Sequence, residues 1–426
     1  MGYLRRQGVV AALAANALRP APLYSAGVPA MFAGWLTSEL AAHLTAATAV
    51  DTGRELVRGR PRRALVGAAN LAALGYLLRQ GGTSQHVFDK ALAEALGEDY
   101  RSRLEERYDD LAWRTPVQQL LWPFRHHGPA SFEVVKDVPY APEHGKRGLL
   151  DVYKPTGDVT GAPVLLQVHG GAWTLGTKDQ QGLPLMRHMA ARGWVCVALN
   201  YRLSPRDKWP AQIVDVKRSI AWIREHIAEH GGDPDFVAVT GGSAGGHLAA
   251  LAALTPGDPE YQPGFEDADT SLQAAVPFYG VYDLAGATGS KAARKMRDTF
   301  LARWVFEADP RKDLTPYEKA SPLLRVRKDA PPFYVVHGGN DTLVEVAQAR
   351  AFVEALRESS EQAVAYSELP VTHHAFDVFP SIRSQHSVRH VDRFLRWAHD
   401  EWRGVATRSA ESWERSDPAQ EEAASA

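Results

Sequence analysis

The sequence predicts an α/β fold with an eight-stranded, mostly parallel sheet flanked by helices. From Phe132 onward, short apolar runs bounded by turn residues alternate with longer stretches of helical periodicity. Strands separated by helices pair in parallel through right-handed crossovers, so this alternation favours a parallel sheet. The candidate strands are residues 132–136, 149–153, 164–168, 194–199, 236–240, 274–279, 333–336 and 364–369. The candidate helices are residues 180–192, 210–230, 243–254, 345–357 and 382–402.

The composition excludes several classes of protein. With 426 residues and 45% hydrophobic content, the chain has enough apolar side chains for a large core. Its 48 basic and 50 acidic residues nearly cancel, so no overall field attracts nucleic acid and we expect no nucleic-acid partner. The single cysteine, Cys196, excludes an internal disulfide and a cysteine-based zinc site.

The chain divides into three parts by composition. Residues 1–130 form an Ala- and Arg-rich segment that is predicted to be helical. Residues 131–403 carry the α/β pattern, and their longest connection, about 281–331, is predicted to be a lid because it combines helical patches with aromatic and charged residues. Residues 404–426 are rich in Ser, Ala and Glu and are predicted to be a disordered tail.

Residues 1–82 have a charge balance of their own, with nine arginines, no lysine and three acids, a net charge of +6. Two apolar runs, Val28–Val50 and Ala64–Leu78, flank a basic stretch, an arrangement typical of a helical hairpin. A membrane-spanning helix needs about 20 mostly apolar residues, but the second run is short and the first contains Glu39 and His43. The alternatives are a helical unit packed on the following domain and a basic amphipathic hairpin in peripheral contact with an anionic membrane. With no clear cleavable signal peptide, we expect a cytoplasmic or peripherally membrane-associated protein.

A serine lies in a glycine-rich turn. The segment Thr240–Gly246 is TGGSAGG and lies between an apolar strand and a helical stretch. A nucleophile on a sharp strand-to-helix turn needs small neighbours, which Gly241 and Gly245 supply around Ser243. The N-terminus of the helix that follows stabilises negative charge. This context predicts Ser243 as a nucleophile, against the alternative of an ordinary glycine-rich turn.

A second glycine motif, His169–Trp173 (HGGAW), directly follows the apolar strand VLLQV. Two successive glycines can turn their N–H groups toward one point, which is the geometry that a developing oxyanion requires. We therefore predict Gly170 and Gly171 as oxyanion-hole donors, with the Ala244 N–H as a further donor from the nucleophile turn. The alternative is a plain turn between a strand and a helix.

Asp341 follows the apolar run FYVV and is the candidate acid that orients a histidine base. Its alternative role is a helix N-cap. In the order serine, acid, histidine, the base comes after Asp341, and we choose His374 because it lies in a loop just after the last predicted strand, with its neighbour His373 as the rival. The remaining histidines lie on a predicted helix, where a metal pair at i and i+4 is the alternative to the solvated face that we favour. They are His386, His390 and His399.

These motifs, in this order, resemble those of the α/β-hydrolases of the hormone-sensitive-lipase-like esterase group, the bacterial type IV carboxylesterases. The resemblance covers roughly residues 132–402. In this group a small residue and then Phe follow the catalytic histidine, which matches His374, Ala375 and Phe376. Besides HGGAW and GGSAGG, the matching segments are LDVYKP (150–155), NYRLSP (200–205), WPAQ (209–212) and DTL (341–343).

The resemblance implies a Ser243, Asp341 and His374 triad that hydrolyses a small acyl ester or lipid through an acyl-enzyme, with no metal and no organic cofactor. The sequence departs from the group at Ala172, where many members have a third glycine, and at Gly242, where an acidic residue is common. The candidates for the substrate pocket are Trp173, Tyr201 and Tyr282.

Other functions fit the same motifs. HGG-x-W followed by G-x-SAGGH also resembles arylformamidase-type hydrolases, which use the same triad on N-formyl anilides. An acyltransferase, in which an alcohol replaces water at deacylation, is a further alternative. Because hydrolase folds also persist as non-catalytic binding modules, a module of that kind is the remaining alternative. The sequence predicts no oligomeric state.

Overall fold

A computed structural model describes residues 1–20, 27–102, 104, 118, 121–124 and 131–404. Its centre is an eight-stranded sheet with the order β1-β2-β4-β3-β5-β6-β7-β8. The strands are β1 (Phe132–Pro139), β2 (Leu149–Pro155), β3 (Ala162–Val168), β4 (Val195–Leu199), β5 (Gly232–Gly242), β6 (Ala274–Phe278), β7 (Phe333–Gly338) and β8 (Val364–Leu369). β2 pairs antiparallel with β1 and β4, and the other neighbours pair in parallel. The predicted eight-stranded, mostly parallel sheet is confirmed.

Helices cover both faces of this sheet. Successive residues of β3 point to opposite faces, so Leu166 packs in one hydrophobic cluster and Leu165 in the other. The first cluster packs the sheet against α6, α7 and α10, and the second packs it against α5 and α11. The helices of this part of the chain are α5 (Leu183–Ala191), α6 (Ala211–His226), α7 (Ala244–Leu254), α8 (Lys291–Met296), α9 (Thr315–Lys319), α10 (Val346–Ser359) and α11 (Ile382–Trp402).

The carboxyl ends of the parallel strands bring the sequence motifs together. β3 ends just before the HGGAW motif, β5 ends just before Ser243, and β7 and β8 end shortly before Asp341 and His374. Parallel strands have their carboxyl ends at the same edge of a sheet, which is where ligands bind in open α/β folds. The topology therefore collects the predicted site residues at one edge.

The N-terminal segment is helical, as predicted. Its helices are α1 (Tyr3–Leu18), α2 (Gly27–Glu39), α3 (Ala41–Val57) and α4 (Pro61–Leu96). The predicted hairpin is formed by α3 and α4, with the basic stretch at the turn between them. α4 also packs against α11 and β8. Among the described helices, none combines the length and the apolar character needed to cross a bilayer.

α4 changes the environment of the histidines on α11. The sequence favoured a solvated face for His386 and His390, and this prediction is wrong because α4 covers that face of α11. His390 is buried, stacks on Phe88 with ring centroids 5.1 Å apart, and bonds through Nε2 to Asp89 Oδ1 at 2.8 Å. Asp89 of α4 therefore supplies a hydrogen-bond partner for His390 that the sequence near His390 does not provide.

The predicted lid region contains α8, a π-helical segment (Arg297–Val305) and α9. Phe306 is buried and stacks on Tyr317 with ring centroids 4.2 Å apart, while Trp304 is partly exposed. The predicted tail lies outside the described residues beyond Gly404.

Candidate active site

Ser243 lies at the sharp turn between β5 and α7. Its backbone has φ 59° and ψ −121°, a conformation that L-residues rarely adopt. The Ser243 amide donates to Phe278 O at 3.0 Å, which ties the turn to the end of β6. A Cβ at Gly241 would lie 2.6 Å from Val168 O, and one at Gly245 would also strike Val168 O. Glycine is therefore required on both sides of the serine for the turn to pack on β3.

Asp341 uses its two carboxylate oxygens for different partners. Oδ1 accepts hydrogen bonds from the amides of Leu343 and Val344 at 2.8 and 2.9 Å, so the aspartate does cap the turn that follows it. Oδ2 accepts from His374 Nδ1 at 2.6 Å, and His337 Nε2 lies 3.4 Å from the same oxygen. Burial alone would raise the pKa of Asp341, but the interactions with His374 and His337 outweigh it and hold this pKa below its usual range.

His374 has the tautomer that a general base needs. Because a carboxylate only accepts, Nδ1 carries the proton and Nε2 presents a lone pair. The residue after it, Ala375, has φ 62°, which turns the loop sharply at this point. No hydrogen bond joins Ser243 to His374 among the described residues, and pairs of this kind often tighten only in the complex with substrate.

Tyr279, the first residue after β6, lies between the turn at Ser243 and His374. Its ring centroid is 4.5 Å from that of His374. A Cβ at Gly242 would lie 2.8 Å from Tyr279 Cε2 and 2.7 Å from its hydroxyl oxygen. The tyrosine hydroxyl donates to Asp377 Oδ1, and burial raises the pKa of Asp377. This ring explains why the residue before the serine is glycine here, since any larger residue would displace it.

Both peptide groups of Gly170 are held by hydrogen bonds. The Gly170 amide donates to Gln181 Oε1 at 2.7 Å. Gly170 O accepts from His169 Nδ1 at 2.7 Å, and the same trans peptide carries the Gly171 N–H on its opposite side, so this bond fixes the direction of the Gly171 amide. The His169 carbonyl accepts from the Tyr201 hydroxyl at 2.9 Å. Burial lowers the pKa of His169 to about 4, so the imidazole stays neutral near pH 7.

Comparisons with known proteins show the family to which this chain belongs. A family model described as BD-FAE matches residues 150–356. The chain is similar to the probable carboxylic ester hydrolase LipM of Mycobacterium tuberculosis, with 43% identity over 93% of this chain and 93% of that protein. It is also similar to the esterase LipQ of the same organism, with 41% identity over 92% of this chain and 90% of that protein.

The chain belongs to the α/β-hydrolase carboxylesterases. It is a carboxylic ester hydrolase, as the sequence predicts. Among solved structures, the butyrate-bound esterase Est2 of Thermogutta terrifontis resembles this esterase at 27% identity and a TM-score of 0.52, over 62% of this chain and 93% of that one.

The three predicted pocket residues of the esterase are fully or almost fully buried. Trp173 Nε1 donates to His247 Nδ1 at 3.1 Å, and Tyr282 stacks on Phe352 with ring centroids 4.4 Å apart. Tyr201 holds the backbone of the oxyanion motif, as described above. All three side chains belong to one hydrophobic cluster of the core.

Sequence reasoning missed three residues that the structure places beside the candidate site residues, namely Tyr279, Asp377 and Gln181. A signal existed for Tyr279, because it directly follows a strand at the same edge of the sheet as the triad motifs. Gln181 gave no signal, because the sequence predicted it within the helix 180–192, whereas it lies in the irregular segment before α5. In the described part of the chain, no cluster of three or more His, Cys, Asp or Glu side chains could hold a metal ion.

Proposed function

We propose that the esterase acts through Ser243 as nucleophile, His374 as general base and acid, and Asp341 as the residue that orients the imidazole. The observation that carries this assignment is the 2.6 Å contact between His374 Nδ1 and Asp341 Oδ2. It leaves Nε2 to accept the serine proton as Oγ attacks the ester carbonyl carbon. The protonated imidazole then donates that proton to the departing alkoxide, and the acyl group stays on Ser243.

Deacylation repeats these steps with water as the nucleophile. His374 takes a proton from water, hydroxide adds to the acyl carbonyl, and the proton returns to Ser243 Oγ as the carboxylic acid leaves. The Gly171 and Ala244 amides are the proposed oxyanion donors. The Gly170 amide, which the sequence also predicts as a donor, is engaged by Gln181, so it would serve only after that bond breaks.

The experiment is the replacement of the nucleophile. Ser243→Ala is expected to reduce kcat for p-nitrophenyl butyrate by at least about 10³-fold and to abolish covalent labelling by a fluorophosphonate probe. Ser102→Ala, at an exposed serine, is the matched control and should keep full activity. Turnover by Ser243→Ala at the wild-type rate would refute the assignment.

The same preparation tests the alternative reactions. We propose ester hydrolysis with a short acyl group, a choice supported by the butyrate bound to the similar Est2 structure. A profile of p-nitrophenyl esters from C2 to C16 should peak at the short end. Faster turnover of an N-formyl anilide would favour amide hydrolysis instead, and formation of a new ester with an added alcohol would favour acyl transfer.

We also propose a peripheral contact with an anionic membrane, made by the turn between α3 and α4. The support is the composition of this turn, which carries five arginines between residues 54 and 63. Its acidic residue, Glu55, is buried with Arg58, Arg60 and Arg63 within 3.2, 3.8 and 3.9 Å of its carboxylate oxygens. One carboxylate cannot neutralise that many guanidinium groups, so the turn keeps a positive charge for anionic headgroups.

A further inference from the structure

The loops that carry the proposed acid and base are contacted from outside the α/β domain. Asn340 and Thr342 flank Asp341, and His373 precedes His374. Each of these three neighbours hydrogen-bonds through its side chain to the backbone of α1 or α2, more than 300 residues earlier in the chain. The residues on either side of the acid, and the residue before the base, therefore share one N-terminal support.

The C-terminal end of α1 ties the two loops to each other. The last carbonyls of a helix have no partner inside it and need donors from elsewhere. Asn340 Nδ2 donates to Ala17 O at 2.9 Å and to Leu18 O at 3.1 Å. His373 Nε2 donates to the same Ala17 O at 2.9 Å. One carbonyl oxygen thus accepts from the acid loop and from the base loop.

α2 adds a second set of contacts. Thr342 Oγ1 donates to Gly27 O, at the start of α2, over 3.1 Å. The ring of His373 packs so closely on Gly34 that a Cβ there would overlap it. Burial lowers the pKa of His373, so the ring is neutral and keeps on Nε2 the single proton that Ala17 O requires.

The N-terminal helices are themselves fixed to the α/β domain. Glu39, at the end of α2, forms a buried ion pair with Arg383 of α11 and accepts from Ser381 Oγ at 2.6 Å. Val371, two residues before His373, packs in the hydrophobic cluster formed by the N-terminal helices. These contacts hold the N-terminal helices on the α/β domain, because breaking a buried ion pair is strongly destabilising.

We propose that α1 and α2 position the catalytic acid and base of this esterase, with His373 and Asn340 as the positioning residues. This inference rests on the triad proposed above. Asp341 and His374 lie on loops, and a displacement of about 1 Å in such a group costs roughly 100-fold in rate. Their partner Ser243 is instead held at a strand end, where its amide donates to Phe278 O.

The test compares substitutions that remove a donor with one that keeps it. His373→Leu and Asn340→Asp are expected to lower kcat for p-nitrophenyl butyrate about 10- to 100-fold while KM changes less than about twofold. His373→Gln, whose amide can still donate to Ala17 O, should restore most of the kcat. The rate of fluorophosphonate labelling should fall in proportion to kcat.

Asn70→Leu is the matched control. Asn70 Nδ2 donates to the Gln7 backbone carbonyl at 2.9 Å and to the Gln7 side chain at 2.8 Å, so it is also a buried amide bonded to α1, but far along the helix from the triad loops. It should lower the thermal unfolding midpoint as much as Asn340→Asp does and leave kcat unchanged. Thr342→Val, which removes one half-buried donor, supplies a milder variant if His373→Leu does not fold.

Two results would overturn the inference. One is a kcat for folded His373→Leu, Asn340→Asp and Thr342→Val within about twofold of that of Asn70→Leu. The other is a rise in KM at constant kcat, which would indicate loss of substrate binding. Failure of the triad itself is distinguishable, because it would show as turnover by Ser243→Ala.

Discussion

At the scale of single residues, the glycine before the nucleophile makes the sharpest prediction. A Cβ at Gly242 would overlap the Tyr279 ring, which lies against His374. Gly242→Ala is therefore expected to push this ring toward the base and to lower kcat by about 10-fold or more. Michaelis kinetics with p-nitrophenyl butyrate, together with the thermal unfolding midpoint, measure the effect.

The partner substitution checks this explanation. Gly242→Ala combined with Tyr279→Ser removes the overlap, so the double variant should be more active than Gly242→Ala alone. Gly82→Ala, at an exposed position of α4 with no atom near its Cβ, is the control for a general cost of replacing glycine. If the double variant is no more active than Gly242→Ala alone, steric displacement of Tyr279 is not the cause.

Residue positions could be predicted where a motif and a strand end coincide, and not where distant segments meet. Ser243, Asp341 and His374 each follow a strand, so their common edge was predictable. The binding of the Gly170 amide by Gln181 depends on how an irregular loop returns to the site, for which the sequence has no periodic signal. The contact of His373 with α1 spans 356 positions and could not be predicted at all.

At the scale of elements, α6 contains a buried lysine whose titration should be measurable. Lys217 is fully buried on α6, and its Nζ donates to Thr255 O and to Thr270 Oγ1. Burial lowers the pKa of Lys217 to about 7. Between pH 7 and about 10 the unfolded chain keeps this proton and the folded protein does not, so stability should rise with pH across that window.

Lys217→Met removes this titration. Between pH 6.5 and pH 9, the free energy of unfolding of the wild type should rise by on the order of 2 kcal/mol more than that of the variant. Urea unfolding at the two pH values measures the difference. Lys319→Met, at an exposed lysine, should keep the wild-type dependence. An equal rise in wild type and Lys217→Met would show that Lys217 remains charged when folded.

The elements themselves were predicted well because each has its own periodicity. Every predicted strand exists, and the predicted helix 382–402 has the bounds of α11. The prediction for the environment of α11 was wrong. The polar sequence of this helix indicates exposure to solvent, but Phe88 and Asp89 of α4 cover it. An amphipathic pattern predicts a helix or strand. It does not predict that another helix will cover the polar face of that element and supply polar partners to its side chains.

At the scale of the whole molecule, the near-zero net charge hides an uneven distribution. Residues 1–82 carry +6, so the remainder of the chain is acidic. Around the turn between α3 and α4, apolar side chains are exposed among the arginines, with Val57 91% and Leu65 69% accessible. Arginine beside exposed aliphatic residues is the combination that favours the surface of an anionic bilayer.

The last prediction concerns this surface in the full-length esterase. It should sediment with phosphatidylcholine vesicles that contain phosphatidylglycerol and less with phosphatidylcholine alone, and added salt should weaken the binding because the charges are exposed. Each basic residue near a membrane contributes about 1 kcal/mol, so Arg60→Ala and Arg62→Ala together should weaken binding roughly 10- to 30-fold.

Arg206→Ala, at an exposed arginine of the α/β domain, should bind as the wild type does. Hydrolysis of soluble p-nitrophenyl butyrate should be the same in all of them, because none of the substituted arginines belongs to the proposed triad or to the contacts that support it. Equal sedimentation with both kinds of vesicle, or none with either, would exclude an electrostatic membrane contact at this turn.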